Sequence, residues 1–242
     1  DPVIGVGELA LSDHRSSQPT LAELLRIVSD AHVARMIAGK AGIVHLHLGD
    51  GERGLDLVRR ALEESELPPR VFNPTHVNRR KALFDEALEL ASKGCTVDVT
   101  AFPVAEDEDA WSAEAALVRY FDAGAPPDKL TISSDGGGCL PVFDEQGRML
   151  DMDIGRPASL ADMLKRVLDD GVPLDRALPP VTSNVSDLLK LPAHGRIRVG
   201  ASADLVVLDE EHSVSDVMVR GTWHVRGGVQ EVFGEFEKAA ER

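Results

Sequence analysis

Short apolar runs alternate with longer stretches of helical character through the first half of the sequence. Strand-like runs lie at 3–11, 42–49, 70–77, 95–102 and 129–138, and helix-like stretches between them lie at 20–39, 53–66, 79–93 and 111–123. Thr20 with Glu23 three residues later forms a capping-box pattern, and Gly94 after the third helix is typical of a C-cap. Apolar strands separated by helices of this length predict a parallel sheet built of βαβ units.

The pattern changes after residue 138. Two further helix-like stretches are followed by three short strands with glycine turns, typical of antiparallel β structure; the helices lie at 157–170 and 181–191, and the strands at 195–209, 214–221 and 222–228. We therefore predict a boundary near Leu191 that divides the chain into an α/β part, 1–191, and a β part, 192–242. The last ten residues, 233–242, predict a short amphipathic helix or a frayed end.

The charge of the chain excludes one class of partner. The 242 residues carry a net charge of −15, and such an acidic surface would repel a phosphate backbone, so we expect no nucleic-acid partner. No apolar stretch approaches the length of a membrane span, and no secretory signal is recognisable. The two cysteines, Cys95 and Cys139, have no metal-like spacing, which favours a reducing compartment. We expect a cytoplasmic location and no membrane partner.

Metal-binding residue types lie in or just after four of the five predicted strands: Glu8, His45, His47, His76 and Asp135. Active sites in α/β folds form where the carboxyl ends of parallel strands meet. Imidazoles and carboxylates suit zinc, and an acid beside the metal can move a proton from bound water to a leaving amine. Asp135 is the candidate for that proton transfer, and Arg15 is the candidate for binding a substrate carboxylate.

Each of these residues also has a structural explanation when it is taken alone. A strand histidine such as His45 is more often structural than a ligand. Glu8 could pair with a buried arginine, and the glycines after Asp135 could form a tight turn or an anion-binding loop. Arg15 and Arg79 could be surface charges. The joint placement of these residues at strand ends favours a hydrolytic metal site.

Four stretches carry a family resemblance: "GELALSDHRSSQPT", "HLHLGD", "NPTHVNR" and "TISSDGGG". Together they resemble the isoaspartyl (β-aspartyl) dipeptidase family of the amidohydrolase superfamily. The stretch "GRIRVGASADLVVLD" is similar to the segment by which many amidohydrolases leave the barrel and enter a small β-sandwich. The resemblance implies an α/β fold in which 1–191 is the C-terminal part of a (β/α)8 TIM-type barrel, strands four to eight. It implies that 192–242 contributes strands of the β-sandwich domain.

The same resemblance implies a function and its residues. It implies metal-dependent hydrolysis of β-aspartyl dipeptides by a homo-oligomer, with hydroxide on a binuclear zinc site as the nucleophile. His47 and His76 match histidines that bind the metals, and Asp135 matches a metal-bound aspartate that acts as general base and acid. Arg15 and Arg79 match the arginines that hold the substrate's α-carboxylate, a task that suits a guanidinium fork.

The chain departs from the family pattern in three ways. Glu8 stands where well-known members have a carboxylated lysine that bridges the metals, and its two oxygens are interpreted as a bridging substitute. Cys139 stands in place of a serine near the substrate, and a thiol is the poorer hydrogen-bond partner. The His-x-His pair of the first barrel strand and the first three βα units are missing. We therefore expect the chain to be the C-terminal part of a longer enzyme.

Two alternatives stay open. Another amidohydrolase, acting on cyclic amides or N-acyl amino acids, would share the metal ligands, although the arginine pair favours the dipeptidase. A non-catalytic truncated chain, or a subunit completed by another chain, would keep the resemblance without the activity. Hydrolysis by these 242 residues alone is therefore an open question.

Overall fold

The first half of the chain contains five parallel strands. The computed structural model describes residues 3–143, 146, 148–235 and 237. The parallel strands are β1 (Gly5–Leu11), β2 (Ile43–Leu48), β3 (Phe72–Thr75), β4 (Val97–Thr100) and β5 (Leu130–Ser133). β1, β2 and β3 pair in that order, β4 pairs with β5, and β3 packs beside β4. The mixed α/β arrangement is confirmed, whereas the assignment to barrel strands four to eight stays a prediction.

Helices connect these strands and continue after them. They are α1 (Leu21–Ala38), α2 (Asp56–Glu63), α3 (Lys81–Lys93), α4 (Ala113–Asp122), α5 (Ser159–Asp169), α6 (Leu174–Ala177) and α7 (Ser183–Leu188). The predicted capping box is present: the amide of Glu23 donates to Oγ1 of Thr20, and Oε2 of Glu23 accepts from the amide of Thr20. Gly94 ends α3 in the left-handed conformation, as predicted. No helix among the described residues is long and apolar enough to cross a membrane.

The core lies between the strands and the helices. In β2, Val44, Leu46 and Leu48 are fully buried, and they alternate with His45 and His47. Successive side chains of a strand point to opposite faces. The apolar side chains of β2 therefore belong to the same buried core as apolar side chains of α1, α3 and α4, and both histidines face the other side of the sheet.

Two features differ from the sequence prediction. The fifth strand ends at Ser133, so Asp135 lies two residues beyond the strand and not at its end. A hairpin that was not predicted follows, formed by the antiparallel strands β6 (Cys139–Phe143) and β7 (Met149–Ile154). In β7, apolar and acidic residues alternate from Leu150 to Ile154, which is a strand pattern that the sequence prediction missed. All six residues of β7 are exposed.

The C-terminal part contains one antiparallel sheet within the described residues. Its strands are β8 (Leu205–Leu208), β9 (Val214–Val219), β10 (Thr222–Arg226) and β11 (Val229–Gln230), paired in the order β11-β10-β9-β8. The predicted strand at 195–209 is thus reduced to its last residues. The boundary near Leu191 and the β-sandwich stay predictions. The predicted helical or frayed tail lies mostly outside the described residues.

Candidate metal centre and substrate cavity

Glu8 lies at an irregularity in β1. The pairing of β1 with β2 shifts between Val6 and Leu9, a β-bulge that gives β1 one extra residue. Bulges commonly re-aim side chains beside active sites. Gly7 lies within the bulge, and a Cβ there would be 2.9 Å from Cβ of His45. Glycine at this position therefore allows the close approach of the two strands beside the carboxylate.

Glu8, His47 and His76 converge on one point. Oε1 of Glu8 lies 3.4 Å from Nδ1 of His47 and 3.4 Å from Nε2 of His76. The two imidazoles meet edge to face, with ring centroids 4.7 Å apart. His76 directly follows β3 in the left-handed region, with φ of 61°. The structure thus brings three of the four predicted metal ligands together.

These three side chains fit a divalent metal ion. Their ligand atoms all lie within 4.8 Å of one another. Nε2 of His76 is buried and makes no hydrogen bond with the described residues, which is costly for a polar atom unless a ligand binds it. A glutamate carboxyl is ionised near neutral pH, so Glu8 brings a negative charge to the two imidazoles. One carboxylate with two imidazoles is a donor set typical of zinc.

The ring of His76 is held from its other side. Its Nδ1 lies 2.7 Å from Oγ1 of Thr100, and both side chains are buried. The backbone of Thr100 is fixed in turn by Asn78, whose amide group donates to the carbonyl of Thr100 and accepts from its N–H. The orientation of His76 is therefore determined by the end of β4.

Asp13 contacts two of the predicted site residues, although the sequence did not single it out. Its carboxylate accepts two hydrogen bonds from the guanidinium of Arg15 and lies 3.2 Å from Nε2 of His47. The Arg15 guanidinium holds the pKa of the Asp13 carboxyl well below its usual range. The only signal in the sequence is the position of Asp13 two residues before Arg15.

Arg15 and Arg79 present positive charge to one cavity. Desolvation lowers the pKa of the Arg79 guanidinium, and the nearby charge of Arg15 lowers it further. Within the described part of the chain, no carboxylate lies at ion-pair distance from Arg79. A largely buried guanidinium without such a partner is compensated best by an anionic ligand.

The cavity has a volume of about 630 Å³ and collects the predicted site residues. Its walls include Glu8, Arg15, His47, Arg79, Asp135 and Cys139, together with Asp13. His76 is buried and reaches the site through its contact with Glu8. Asp135 has a φ of 50° at the start of the glycine run, and Cys139 is exposed at the start of β6. The cavity thus combines candidate metal ligands, two cations and an acid.

His45 stands apart from this group. Its Nδ1 lies 2.7 Å from Oδ1 of Asn73, and Nδ2 of Asn73 donates to the carbonyl of Thr96. These contacts hold Nδ1 of His45 and the side-chain amide of Asn73 within the sheet. They support the structural explanation for His45.

Solved structures similar to this chain are hydrolases, whereas no protein family model matches it. The β-aspartyl dipeptidase from thermophilic keratin-degrading Fervidobacterium islandicum AW-1, in complex with the β-Asp-Leu dipeptide, is 39% identical, with a TM-score of 0.89 over 97% of this chain and 60% of that chain. A second structure of that dipeptidase, also 39% identical, has a TM-score of 0.84 over 98% of this chain and 60% of that chain. The N-acetylglucosamine-6-phosphate deacetylase from Pasteurella multocida is 15% identical, with a TM-score of 0.55 over 87% of this chain and 55% of that chain, and it shares the fold alone.

The mixed α/β fold is that of the hydrolases to which this chain is similar. Within this class the chain resembles β-aspartyl dipeptidase over almost all of its own length, so the resemblance predicted from the sequence is confirmed. The chain spans 60% of the length of each of these two dipeptidase chains.

Proposed function

We propose that this chain carries metal-binding and substrate-binding residues of an enzyme that hydrolyses the β-aspartyl (isoaspartyl) bond of dipeptides. The observation that carries the proposal is the convergence of Glu8, His47 and the buried Nε2 of His76 beside a cavity that holds two guanidinium groups. The similarity to a dipeptidase that binds β-Asp-Leu supports the same substrate class.

Glu8, His47, His76 and Asp135 would hold the metal. Zinc suits this donor set, and the two oxygens of Glu8 would let it bridge a pair of zinc ions. When bound, zinc polarises the peptide carbonyl and brings the ionisation of water near neutral pH. The ionised Glu8 carboxylate compensates the positive charge of the site.

Asp135 would move the proton. As a carboxylate it accepts a proton from the attacking water, and as an acid it donates that proton to the nitrogen of the leaving amino acid, so its starting state is restored. Its position in the cavity wall, beyond the end of β5, supports this role.

Arg15 and Arg79 would bind the α-carboxylate of the substrate. Each guanidinium offers several N–H donors in a planar fork, which matches a carboxylate. The absence of an ion-pair partner for Arg79 among the described residues supports this role. Cys139 would contact the bound dipeptide from β6 as a weak hydrogen-bond partner.

The proposed site lies in one part of the chain. All of its residues fall within 1–191, which we assign to the barrel, whereas 192–242 is assigned to the β part. The homo-oligomer implied by the resemblance stays a prediction.

The direct test is hydrolysis of β-Asp-Leu by the protein purified from its natural source, with the isomer α-Asp-Leu as the control. We expect leucine to be released from the β isomer only, a chelator to abolish the release, and zinc to restore it. Preferred cleavage of a hydantoin or of an N-acyl amino acid would instead identify another amidohydrolase activity. Zinc binding without turnover of any of these substrates would identify a non-catalytic chain.

A further inference from the structure

Asp13 occupies a closely fitted position at the ends of two strands. Its side chain is only 2% exposed and lies in the loop after β1. A Cβ at Gly49, directly after β2, would be 2.4 Å from Cβ of Asp13, so a larger residue at 49 would displace the loop. The amide of Gly49 also donates to the carbonyl of Leu11 at 3.1 Å. The glycine therefore lets the ends of β1 and β2 enclose the Asp13 carboxylate.

The Asp13 carboxylate contacts two functional groups at once. Oδ1 accepts from the backbone N–H of Arg15 at 2.7 Å and from its Nε at 3.0 Å, and Oδ2 accepts from its Nη2 at 2.7 Å. Oδ2 also lies 3.2 Å from Nε2 of His47. One buried carboxylate thus joins an arginine of the cavity wall to a histidine that faces Glu8.

The contact with His47 specifies the position of a proton. Both ring nitrogens of His47 face carboxylates, but only the contact of Nε2 with Asp13 has hydrogen-bond geometry. An ionised carboxylate only accepts hydrogen bonds, so a neutral His47 carries its hydrogen on Nε2. Nδ1, which lies 3.4 Å from Oε1 of Glu8, is then left with its lone pair. A neutral histidine binds a metal through the nitrogen without hydrogen, and a carboxylate on the opposite nitrogen is common in zinc sites.

We propose that Asp13 is a positioning residue that links the metal-binding residues to the arginine that binds substrate. It holds His47 in the Nε2–H tautomer, and it fixes the guanidinium of Arg15. Asp13 takes one N–H from Nε and one from Nη2 of Arg15, which leaves both N–H groups of Nη1 and the second of Nη2 for a substrate carboxylate. The effect of Asp13 on substrate binding rests on the proposed function, whereas the tautomer of His47 is independent of that function.

The first test is the tautomer of His47 in metal-free protein, measured from the 15N chemical shifts of its ring at pH 9. We expect at least a roughly tenfold preference for Nε2–H in the wild type, and a drop of about fivefold or more in Asp13→Asn and Asp13→Ala. Asp50→Asn is the matched control, because it removes a charge from the same cavity without a hydrogen bond to His47. A wild-type preference for Nδ1–H, or an unchanged ratio in both Asp13 variants, would overturn the proposal. The wild-type measurement decides the tautomer even where a variant fails to fold.

The second test separates the effect of the contact between Asp13 and His47 from the effect of the contact between Asp13 and Arg15. In competition with a chromophoric chelator, Asp13→Asn should bind zinc about 10-fold to 100-fold more weakly than the wild type, and its KM for β-Asp-Leu should rise. Arg15→Lys should raise KM and leave zinc affinity unchanged. A KM effect of Asp13→Asn without a zinc effect would contradict the coupling. A wild type that neither binds zinc nor cleaves β-Asp-Leu would refute the proposed function, and the metal-free tautomer would still decide the positioning role.

Discussion

Thr100 and His76 are joined by a 2.7 Å hydrogen bond between Oγ1 and Nδ1, and neither side chain is more than 3% exposed. This contact holds one nitrogen of the imidazole against β4, while the other nitrogen faces Oε1 of Glu8. The hydroxyl of Thr100 therefore determines which nitrogen of His76 is available to a metal.

Replacing Thr100 should weaken both the fold and the metal site. Thr100→Val keeps the shape but removes the hydroxyl, so we expect the free energy of unfolding to fall by about 1–3 kcal/mol, because a buried nitrogen loses its partner. Zinc affinity should fall about tenfold. Thr100→Ser keeps the hydroxyl and should retain wild-type zinc affinity in the same chelator competition. Equal zinc affinities for the valine and serine variants would refute the role of the hydroxyl.

Arg79 should strengthen substrate binding without contributing to the free energy of unfolding. Arg79→Met removes a largely buried charge that has no ion-pair partner among the described residues, so the free energy of unfolding should not fall. KM for β-Asp-Leu should rise roughly 10-fold to 100-fold, since a charge-assisted hydrogen bond to the substrate is lost. Arg80→Met is the neighbouring control: it loses a 2.9 Å bond to the carbonyl of Gly51 and should lower stability without a comparable rise in KM. Loss of stability with an unchanged KM in Arg79→Met would contradict this account.

The two cysteines should differ in reactivity. Cys139 is exposed in the wall of the cavity, whereas Cys95 is buried in the core. Iodoacetamide at pH 8 should therefore label Cys139 and leave Cys95 unmodified, as read from the masses of the labelled peptides. β-Asp-Leu should slow the labelling and α-Asp-Leu should not. Labelling of Cys139 at the same rate with and without the β dipeptide would remove it from the substrate site.

Cys95 should also make the fold sensitive to alkali. Burial raises the pKa of its thiol from 9.0 to about 12. The unfolded chain then loses this proton near pH 9 while the folded chain keeps it, so the folded state binds more protons between pH 9 and pH 12. The contribution to stability is fully present below pH 9 and is lost as the pH rises, at up to about 1.4 kcal/mol per pH unit. Urea unfolding from pH 8 to pH 11 should show a shallower decline for Cys95→Ala, and identical declines would refute this.

Much of the parallel sheet could be predicted from the sequence because its signals are local. Each strand is a short apolar run, and the residues that end α1 and α3 are those that helix ends favour. The placement of His45 and His47 on one face follows from the period of a strand. The hairpin of β6 and β7 was missed although apolar and acidic residues alternate in β7, because this exposed strand lies outside the βαβ pattern of the first half of the chain.

The contacts that complete the site could not be predicted because they join distant parts of the chain. Asp13 meets His47 across 34 positions, and His76 meets Thr100 across 24. A threonine in a buried strand is ordinary, so nothing marked Thr100 as the partner of a histidine. The bulge beside Glu8 was equally hidden, since an extra residue in a strand is defined only by the register of its neighbour.

The central claim is that Glu8, His47 and His76 hold a metal, and Glu8→Gln tests it most directly. Glutamine keeps the size of the side chain but removes the ionised carboxylate that both histidines face. The measurement is the zinc content of wild type and Glu8→Gln after equilibration at the same free zinc concentration, together with hydrolysis of β-Asp-Leu. We predict that the variant loses bound zinc and activity together while its unfolding transition remains cooperative. Full zinc content and full activity in Glu8→Gln would contradict the account.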